Sequence, residues 1–135
     1  MKLVHEKIQQ KSGRNSLIDI QFLEDRKIKP IIIFCHGFKG FKNWGHFDLI
    51  TDAFAHTDFV FVKFNFSMNG TTEEQPTDFA DLEAFGNNNF ETELNELGNI
   101  IDHVEKKCRT IFRQQRRNLS NWAQSRRWRC YFENI

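Results

Sequence analysis

Two short apolar runs near the start of the chain have the two-residue period of β-strands. Residues 2–8 and 16–23 flank the turn-forming stretch "KSGRN", and in the second run Ile18, Ile20 and Phe22 alternate with polar residues. This alternation is typical of strands with one buried face. The two runs therefore predict an antiparallel hairpin.

Two later runs are apolar almost without interruption. Residues 31–35 read "IIIFC" directly after Pro30, and residues 59–66 read "FVFVKFNF". Continuous β-branched and apolar runs of this length are typical of strands that are covered on both faces of a parallel or mixed sheet. Each run is predicted to be a buried strand.

Helical spacing of apolar residues follows each of these buried strands. Phe47, Ile50 and Phe54 predict a helix over residues 46–55. A second stripe predicts a helix over residues 89–106 and consists of Phe90, Leu94, Leu97, Ile101 and Val104. The segment between residue 67 and this helix is polar, has turn chemistry at "NG", and is predicted to be a long loop.

The order of elements predicts the fold class. A hairpin followed by strand, helix, strand, loop and helix indicates an α/β protein with an antiparallel hairpin and parallel βαβ units, which bind ligands at the carboxyl ends of the strands. The 135 residues are enough for one domain. The element expected after the second helix is another buried strand.

Several classes of protein and site are not expected. The chain has no apolar stretch of membrane-spanning length and no secretory signal at its start, so we expect a cytoplasmic protein without a membrane partner. Cys35, Cys108 and Cys130 have no patterned spacing and are expected to be free thiols. The histidines also match no metal-ligand spacing. No metal or cofactor is therefore expected.

The charge of the chain changes sign near Cys108. Residues 1–107 contain 12 basic and 17 acidic side chains, whereas residues 108–135 contain 7 arginines and 1 acid. This change predicts a boundary between a domain over residues 1–107 and an arginine-rich tail over residues 108–135.

A glycine-containing loop follows the first buried strand. Its sequence, "HGFKGFKNWG", includes His36, Gly37 and Phe38, and the chain continues with "GFKNWGHFDLITDAFA" and "FVFVKFNFSMNGTTEE". Over residues 1–106 this arrangement resembles the α/β-hydrolase superfamily, and within it the branch of serine aminopeptidases and dienelactone hydrolase-like enzymes. The resemblance implies the N-terminal part of an α/β-hydrolase sheet, in which strand 3 ends in His-Gly.

The resemblance also implies a chemistry. The backbone N–H of Phe38 corresponds to an oxyanion-hole donor of a serine hydrolase, and His36 and Gly37 correspond to loop-supporting residues. The substrate of such an enzyme is a small molecule or peptide with an ester, lactone or peptide bond. His36 is not expected to be the catalytic histidine, which the family places near its C-terminus. No catalytic nucleophile, acid or histidine is expected within this chain, because no G-x-S-x-G motif occurs in it.

A reading-frame slip near Cys108 would explain the arginine-rich tail. If each codon begins one base later, the junction of Trp122 with Ala123 and that of Trp128 with Arg129 must both encode glycine, and the tail can read "IYLIGHSRGGGVAILKI". That sequence contains a strand and the G-H-S-R-G nucleophile elbow that the family has at this place. On this hypothesis the chain is a truncated N-terminal fragment of a hydrolase with an out-of-frame tail. It is then expected to be inactive, poorly stable and prone to aggregation.

The alternative hypothesis is that the arginine-rich tail is a genuine, functional part of the protein. Its arginines and tryptophans could bind phosphate groups by charge and stack on bases. The chain would then be a small α/β domain with a basic tail that binds nucleic acid.

Overall fold

The computed structural model describes residues 1–25, 27–117 and 130–131, with side chains described as far as Phe112. The elements are β1 (Lys2–Gln9), β2 (Asn15–Phe22), β3 (Ile31–Cys35), α1 (Phe47–His56), β4 (Val60–Phe64), α2 (Leu82–Gly86), α3 (Phe90–Arg117) and β5 (Cys130–Tyr131). The predictions made for the tail beyond residue 117 lie outside the described residues, apart from the backbone of β5.

The strands form one mixed sheet in the order β1-β2-β4-β3-β5. Strand β1 pairs antiparallel with β2, and β2 pairs antiparallel with β4. Strand β3 pairs in parallel with β4 in the register Ile31 to Val60 through Cys35 to Phe64. The predicted α/β class, with its antiparallel hairpin and parallel β3-α1-β4 unit, is therefore confirmed.

The outer edge of β3 is paired at one end only. Cys130 and Tyr131 of β5 lie beside Ile31 and Ile32 in parallel orientation. Within the described residues, the rest of β3, including Cys35 at its carboxyl end, has no strand on this side.

Helices cover both faces of the sheet. One face contributes Ile18, Ile20 and Phe22 of β2 to the main core, where α3 packs with Ile100, Val104, Cys108 and Phe112, all buried at four-residue intervals. The rings of Phe22 and Phe112 lie 6.2 Å apart. On the opposite face, α1 packs through Phe47 and Phe54 against Phe34 and Phe61. Burial of this kind stabilises by about 25 cal/mol for each Å² of apolar surface removed from water.

Two helices differ from the sequence predictions. Helix α3 continues to Arg117, and its buried residues Cys108 and Phe112 lie within the segment that the charge pattern separates as a tail. Helix α2 lies inside the predicted loop. It has only five residues, which is too short for an apolar period, and the Asp81 carboxylate begins it by accepting a hydrogen bond from the Ala84 N–H at 2.9 Å.

Within residues 1–25, 27–117 and 130–131, no helix combines the length and the apolar character that crossing a bilayer requires.

Candidate functional site

A cleft of about 520 Å³ lies at the carboxyl end of β3. Its floor is the end of this strand and the loop that follows, and its walls come from Phe66 after β4, from Phe85 of α2 and from the first turns of α3. The residues that line it are Cys35, His36, Gly37, Phe38, Phe66, Phe85, Asn88, Asn89, Phe90, Glu93, Leu94 and Leu97. The carboxyl ends of parallel strands are where α/β sheets bind ligands.

The loop after β3 contains a tight turn that presents Phe38. The Gly40 N–H donates a hydrogen bond to the Gly37 carbonyl at 2.9 Å, and Lys39 has a φ of 58°. A positive φ at the third residue is typical of a type II turn, in which Phe38 is the second residue. The Phe38 ring is 84% exposed and lies 5.6 Å from the ring of Phe85.

The backbone N–H of Phe38 has no acceptor within the part of the chain that the structure describes. The N–H belongs to a residue that lines the cleft, so a ligand there can supply the acceptor. A backbone donor held by a turn needs no reorganisation when negative charge develops on a ligand oxygen.

Gly40 closes this turn because a side chain does not fit there. A Cβ at Gly40 would lie 2.8 Å from the Gly37 carbonyl oxygen and 3.0 Å from His36 Cβ. We expect Gly40→Ala to lower the free energy of unfolding by about 1–3 kcal/mol. Urea denaturation measures this loss. Gly37→Ala is the matched control, because a Cβ at Gly37 meets nothing within 4 Å; equal losses in the two variants would contradict the argument.

His36 joins this turn to the loop after β4. Its Nδ1 lies 3.0 Å from the Gly37 carbonyl, so Nδ1 carries the proton and donates. Its Nε2 then accepts from the Phe66 N–H and from Asn69 Nδ2, each at 3.4 Å. Burial lowers the pKa of the imidazole, opposed by the Gly37 hydrogen bond and by the charge of Glu93. The neutral ring supports the loop, and nothing in its contacts makes it a general base.

The stability of the protein should therefore depend on pH through His36. Its pKa is lower in the folded state than the ordinary value of 6.5, so its contribution is complete above pH 6.5 and is lost as the pH falls through the folded-state pKa. The loss cannot exceed about 1.4 kcal/mol for each pH unit. Denaturation midpoints between pH 7.5 and 5 measure it. His36→Asn should flatten this dependence, whereas His56→Asn, at an exposed position, should leave it unchanged; no difference between them would refute the assignment.

Two asparagines connect the same loops, and neither was predicted to be a site residue. Asn65 Oδ1 accepts from the Lys42 N–H at 2.7 Å, and its Nδ2 donates to the Pro76 carbonyl at 3.2 Å. Asn69 Oδ1 accepts from the Thr71 N–H at 3.0 Å, and its Nδ2 reaches the Gly40 carbonyl at 3.4 Å. Side-chain amides of this kind replace backbone partners in turns. The stretch "NFSMNG" therefore holds the loop after β3 in place; this loop, residues 36–45, is called the site loop below.

A buried acid of α3 fixes the end of β4. Glu96 accepts hydrogen bonds from the Ser67 N–H, at 2.8 Å, and from the Ser67 hydroxyl, and the latter lies 2.9 Å from the Ser12 hydroxyl. Burial raises the pKa of Glu96, and the Ser67 hydrogen bonds oppose that rise. Ser67 is 2% exposed and fully engaged, so it is not available as a nucleophile.

A buried ion cluster lies under the start of the site loop. Lys42 Nζ is 2.5 Å from Asp19 Oδ2, and Lys63 Nζ is 3.9 Å from the same oxygen. Lys63 also donates to Asn43 Oδ1 at 2.8 Å and contacts Asp48. Because Lys42 belongs to the loop and Asp19 to the sheet, the cluster attaches the loop to β2.

The remaining wall of the cleft is partly polar. Glu93 Oε1 accepts a hydrogen bond from Asn88 Nδ2 at 2.7 Å, and Asn88 Oδ1 is buried without a donor among the described residues. Burial, and to a lesser degree the charge of Glu93, raises the pKa of the Cys35 thiol to about 11. Cys35 is therefore protonated at neutral pH and is a poor nucleophile.

The acids of the segment 73–83 lie elsewhere. Glu73 pairs with Lys7 and Asn15, and Asp81 pairs with Arg14 at 2.7 Å. These contacts tie the segment to the hairpin, and the hydrogen bond from Arg14 is the main reason that the pKa of Asp81 is lowered. None of the five acids of this segment lines the cleft: Glu73, Glu74, Asp78, Asp81 and Glu83.

Within the described residues, no group of three or more histidine, cysteine, aspartate or glutamate side chains is placed to hold a metal ion. Comparison with protein-family models and with curated proteins finds no match to the chain.

Proposed function

We propose that the cleft at the carboxyl end of β3 is the acyl-binding half of a serine hydrolase active site of the α/β-hydrolase type. The observation that carries this proposal is the Phe38 N–H, which has no acceptor among the described residues and belongs to a residue that lines the cleft. In acyl transfer, negative charge develops on the former carbonyl oxygen, and a fixed N–H at that oxygen stabilises the transition state. The substrate has an ester, lactone or peptide bond.

The surrounding contacts suit this role, because three side chains hold the turn and the residues that follow it. His36 contacts the Gly37 carbonyl, Asn69 contacts the Gly40 carbonyl and Asn65 accepts from the Lys42 N–H. An oxyanion donor has to be positioned before the charge forms, so a turn held from several sides favours this chemistry. A loop that only connected two elements would not need these buried polar contacts.

The chain contributes the donor and the pocket but not the nucleophile. Ser67 is buried against Glu96, and the pKa of Cys35 is about 11. In the α/β-hydrolase superfamily, which this chain resembles, the nucleophile belongs to a G-x-S-x-G elbow. That elbow would lie beyond residue 117, where the shifted reading frame can encode it. The chain is proposed to be the N-terminal part of the hydrolase, and to be inactive itself.

Labelling with a fluorophosphonate tests this proposal, since the reagent requires an activated serine. We expect no labelling of the 135-residue chain. We expect stoichiometric labelling of a protein in which residues 1–117 continue in the shifted frame of the gene, at the serine of G-H-S-R-G. Changing that serine to alanine is the control. A folded extended protein that stays unlabelled, or a shifted frame that closes at once, would overturn the proposal.

A further inference from the structure

The cleft combines a largely apolar surface with one carboxylate. Phe66, Phe85 and Leu97 form its inner wall, and Phe38, Phe90 and Leu94 lie at its mouth with 84%, 83% and 67% exposure. Exposed apolar side chains around a cavity indicate a surface that binds something apolar. The aromatic and aliphatic lining thus sets one property of the ligand.

Glu93 sets the other property. Its carboxylate lines the cleft, accepts from Asn88 Nδ2 at 2.7 Å, and has no cationic partner among the residues described. Its negative charge extends to the neighbouring Cys35 and His36, whose proton affinities it raises. The only lysine of the adjacent turn, Lys39, lies over the Phe38 ring at 5.7 Å from its centroid. The carboxylate therefore faces the cleft without neutralisation.

Asn88 adds a second acceptor to the same wall. Its amide is oriented by the bond from Nδ2 to Glu93, because the opposite orientation would place two oxygens together. This leaves Asn88 Oδ1 buried and without a donor in the described structure. Buried acceptors without a partner are rare, and a donor brought by a ligand can satisfy them after a small movement.

We infer that this cleft selects apolar ligands that carry a positively charged amine, and that Glu93 determines the preference. The inference rests on the proposed function, since it names the substrate class of the same site: an apolar acyl compound with an ammonium group. An anionic ligand of the same shape would be repelled by Glu93. Glu93 also lies in the first turn of α3, where a negative charge stabilises the helix. The test must separate these two roles.

The test compares three probes of similar shape: 4-phenylbutylamine, 4-phenylbutanol and 4-phenylbutyrate. Their binding to the full chain is measured at pH 7 and low salt by NMR titration of the signals of cleft residues. We expect the amine to bind about tenfold more tightly than the alcohol, as expected for one partly screened ion pair. The carboxylate should bind more weakly than the alcohol.

Glu93→Gln is the decisive variant. Glutamine keeps an acceptor for Asn88 Nδ2 but removes the charge, so the amine and the alcohol should then bind within about twofold of each other. Glu91→Gln is the matched control, because Glu91 is an exposed acid of the same first turn and does not line the cleft. It should preserve the preference while losing a similar helix-terminus interaction.

The outcomes separate the two proposals. Binding of all three probes with equal affinity, or a preference that survives Glu93→Gln, overturns the charge selection and leaves the cleft as an acyl site. Failure of the alcohol and the amine to bind at all overturns the selection of apolar amines, whereas fluorophosphonate labelling of the extended protein decides the acyl site separately. If Glu93→Gln does not fold, the salt dependence of amine binding by the unaltered chain decides, since the preference must fall by 1 M salt at a Debye length of about 3 Å.

Discussion

Replacing Phe38 with proline should lower the acyl-transfer rate of the chain completed in the shifted frame by about 100-fold to 1,000-fold. Proline has no backbone N–H, so the proposed oxyanion donor is lost. Its fixed φ suits the second residue of the Gly37–Gly40 turn, and the preceding residue is a glycine that tolerates the restriction that proline imposes. The variant therefore removes the donor and keeps the turn. The measurement is kcat for an activated ester.

Phe38→Ala is the matched control for this prediction. It keeps the N–H and removes the ring that lies 5.6 Å from Phe85 and is 84% exposed. We expect kcat to change by only a few fold, with KM rising because apolar surface at the mouth is lost. Equal kcat values for the proline and alanine variants, both folded, would remove Phe38 from the oxyanion hole.

Asp19→Ala is expected to lower the free energy of unfolding by about 3–5 kcal/mol. Asp19 is 5% exposed, and its removal leaves two buried ammonium groups, Lys42 and Lys63, without their shared carboxylate. Among the described residues, Lys42 then keeps only Asn43 Oδ1, at 3.5 Å, whereas Lys63 keeps Asn43 and Asp48. Leaving a buried charge unpaired costs far more than the pair itself contributes. Urea denaturation at pH 7 measures the loss.

Asp48→Ala separates this effect from a general loss of surface charge. Asp48 contacts Lys63 as well, but its side chain is 69% exposed, so water can replace it. We expect a loss below about 1 kcal/mol. Similar losses for the two variants would show that the buried cluster does not attach the site loop to β2. If the cluster attaches the loop to β2, Asp19→Ala should also increase hydrogen exchange in residues 37–45, and Asp48→Ala should not.

Hydrophobic periodicity alone predicted much of the sheet. The predicted strand 31–35 coincides with β3, and the alternation of Ile18, Ile20 and Phe22 reports the face of β2 that packs against α3. The prediction for β2 succeeds because burial of one face imposes a two-residue period on a strand, and that for β3 succeeds because a strand covered on both faces is continuously apolar. The loop at the carboxyl end of β3, which carries Phe38, follows from the same reasoning.

Hydrophobic periodicity could not predict the buried polar contacts on the face of the sheet that α1 covers. Lys63 stands within a run of apolar residues and is 3% exposed, yet its ammonium group meets Asp48 and Asn43, and Asp19 lies nearby. A period indicates that a side chain is covered but does not identify its partner. Partners that are 15 to 44 residues apart meet only when the sheet and α1 assemble.

The sequence by itself determined the order of the first four strands and the two longer helices, the parallel β3-α1-β4 unit and the glycine-containing loop, because local periodicity and backbone preferences act over a few residues. Tertiary structure alone decided which polar residues hold that turn and which apolar residues stay open. Asn65 and Asn69 join two loops, whereas Phe90 and Leu94, at the start of the apolar stripe of α3, remain exposed at the cleft. The stripe identifies the apolar face of α3. How much of that face is buried depends on where the sheet beneath the helix ends.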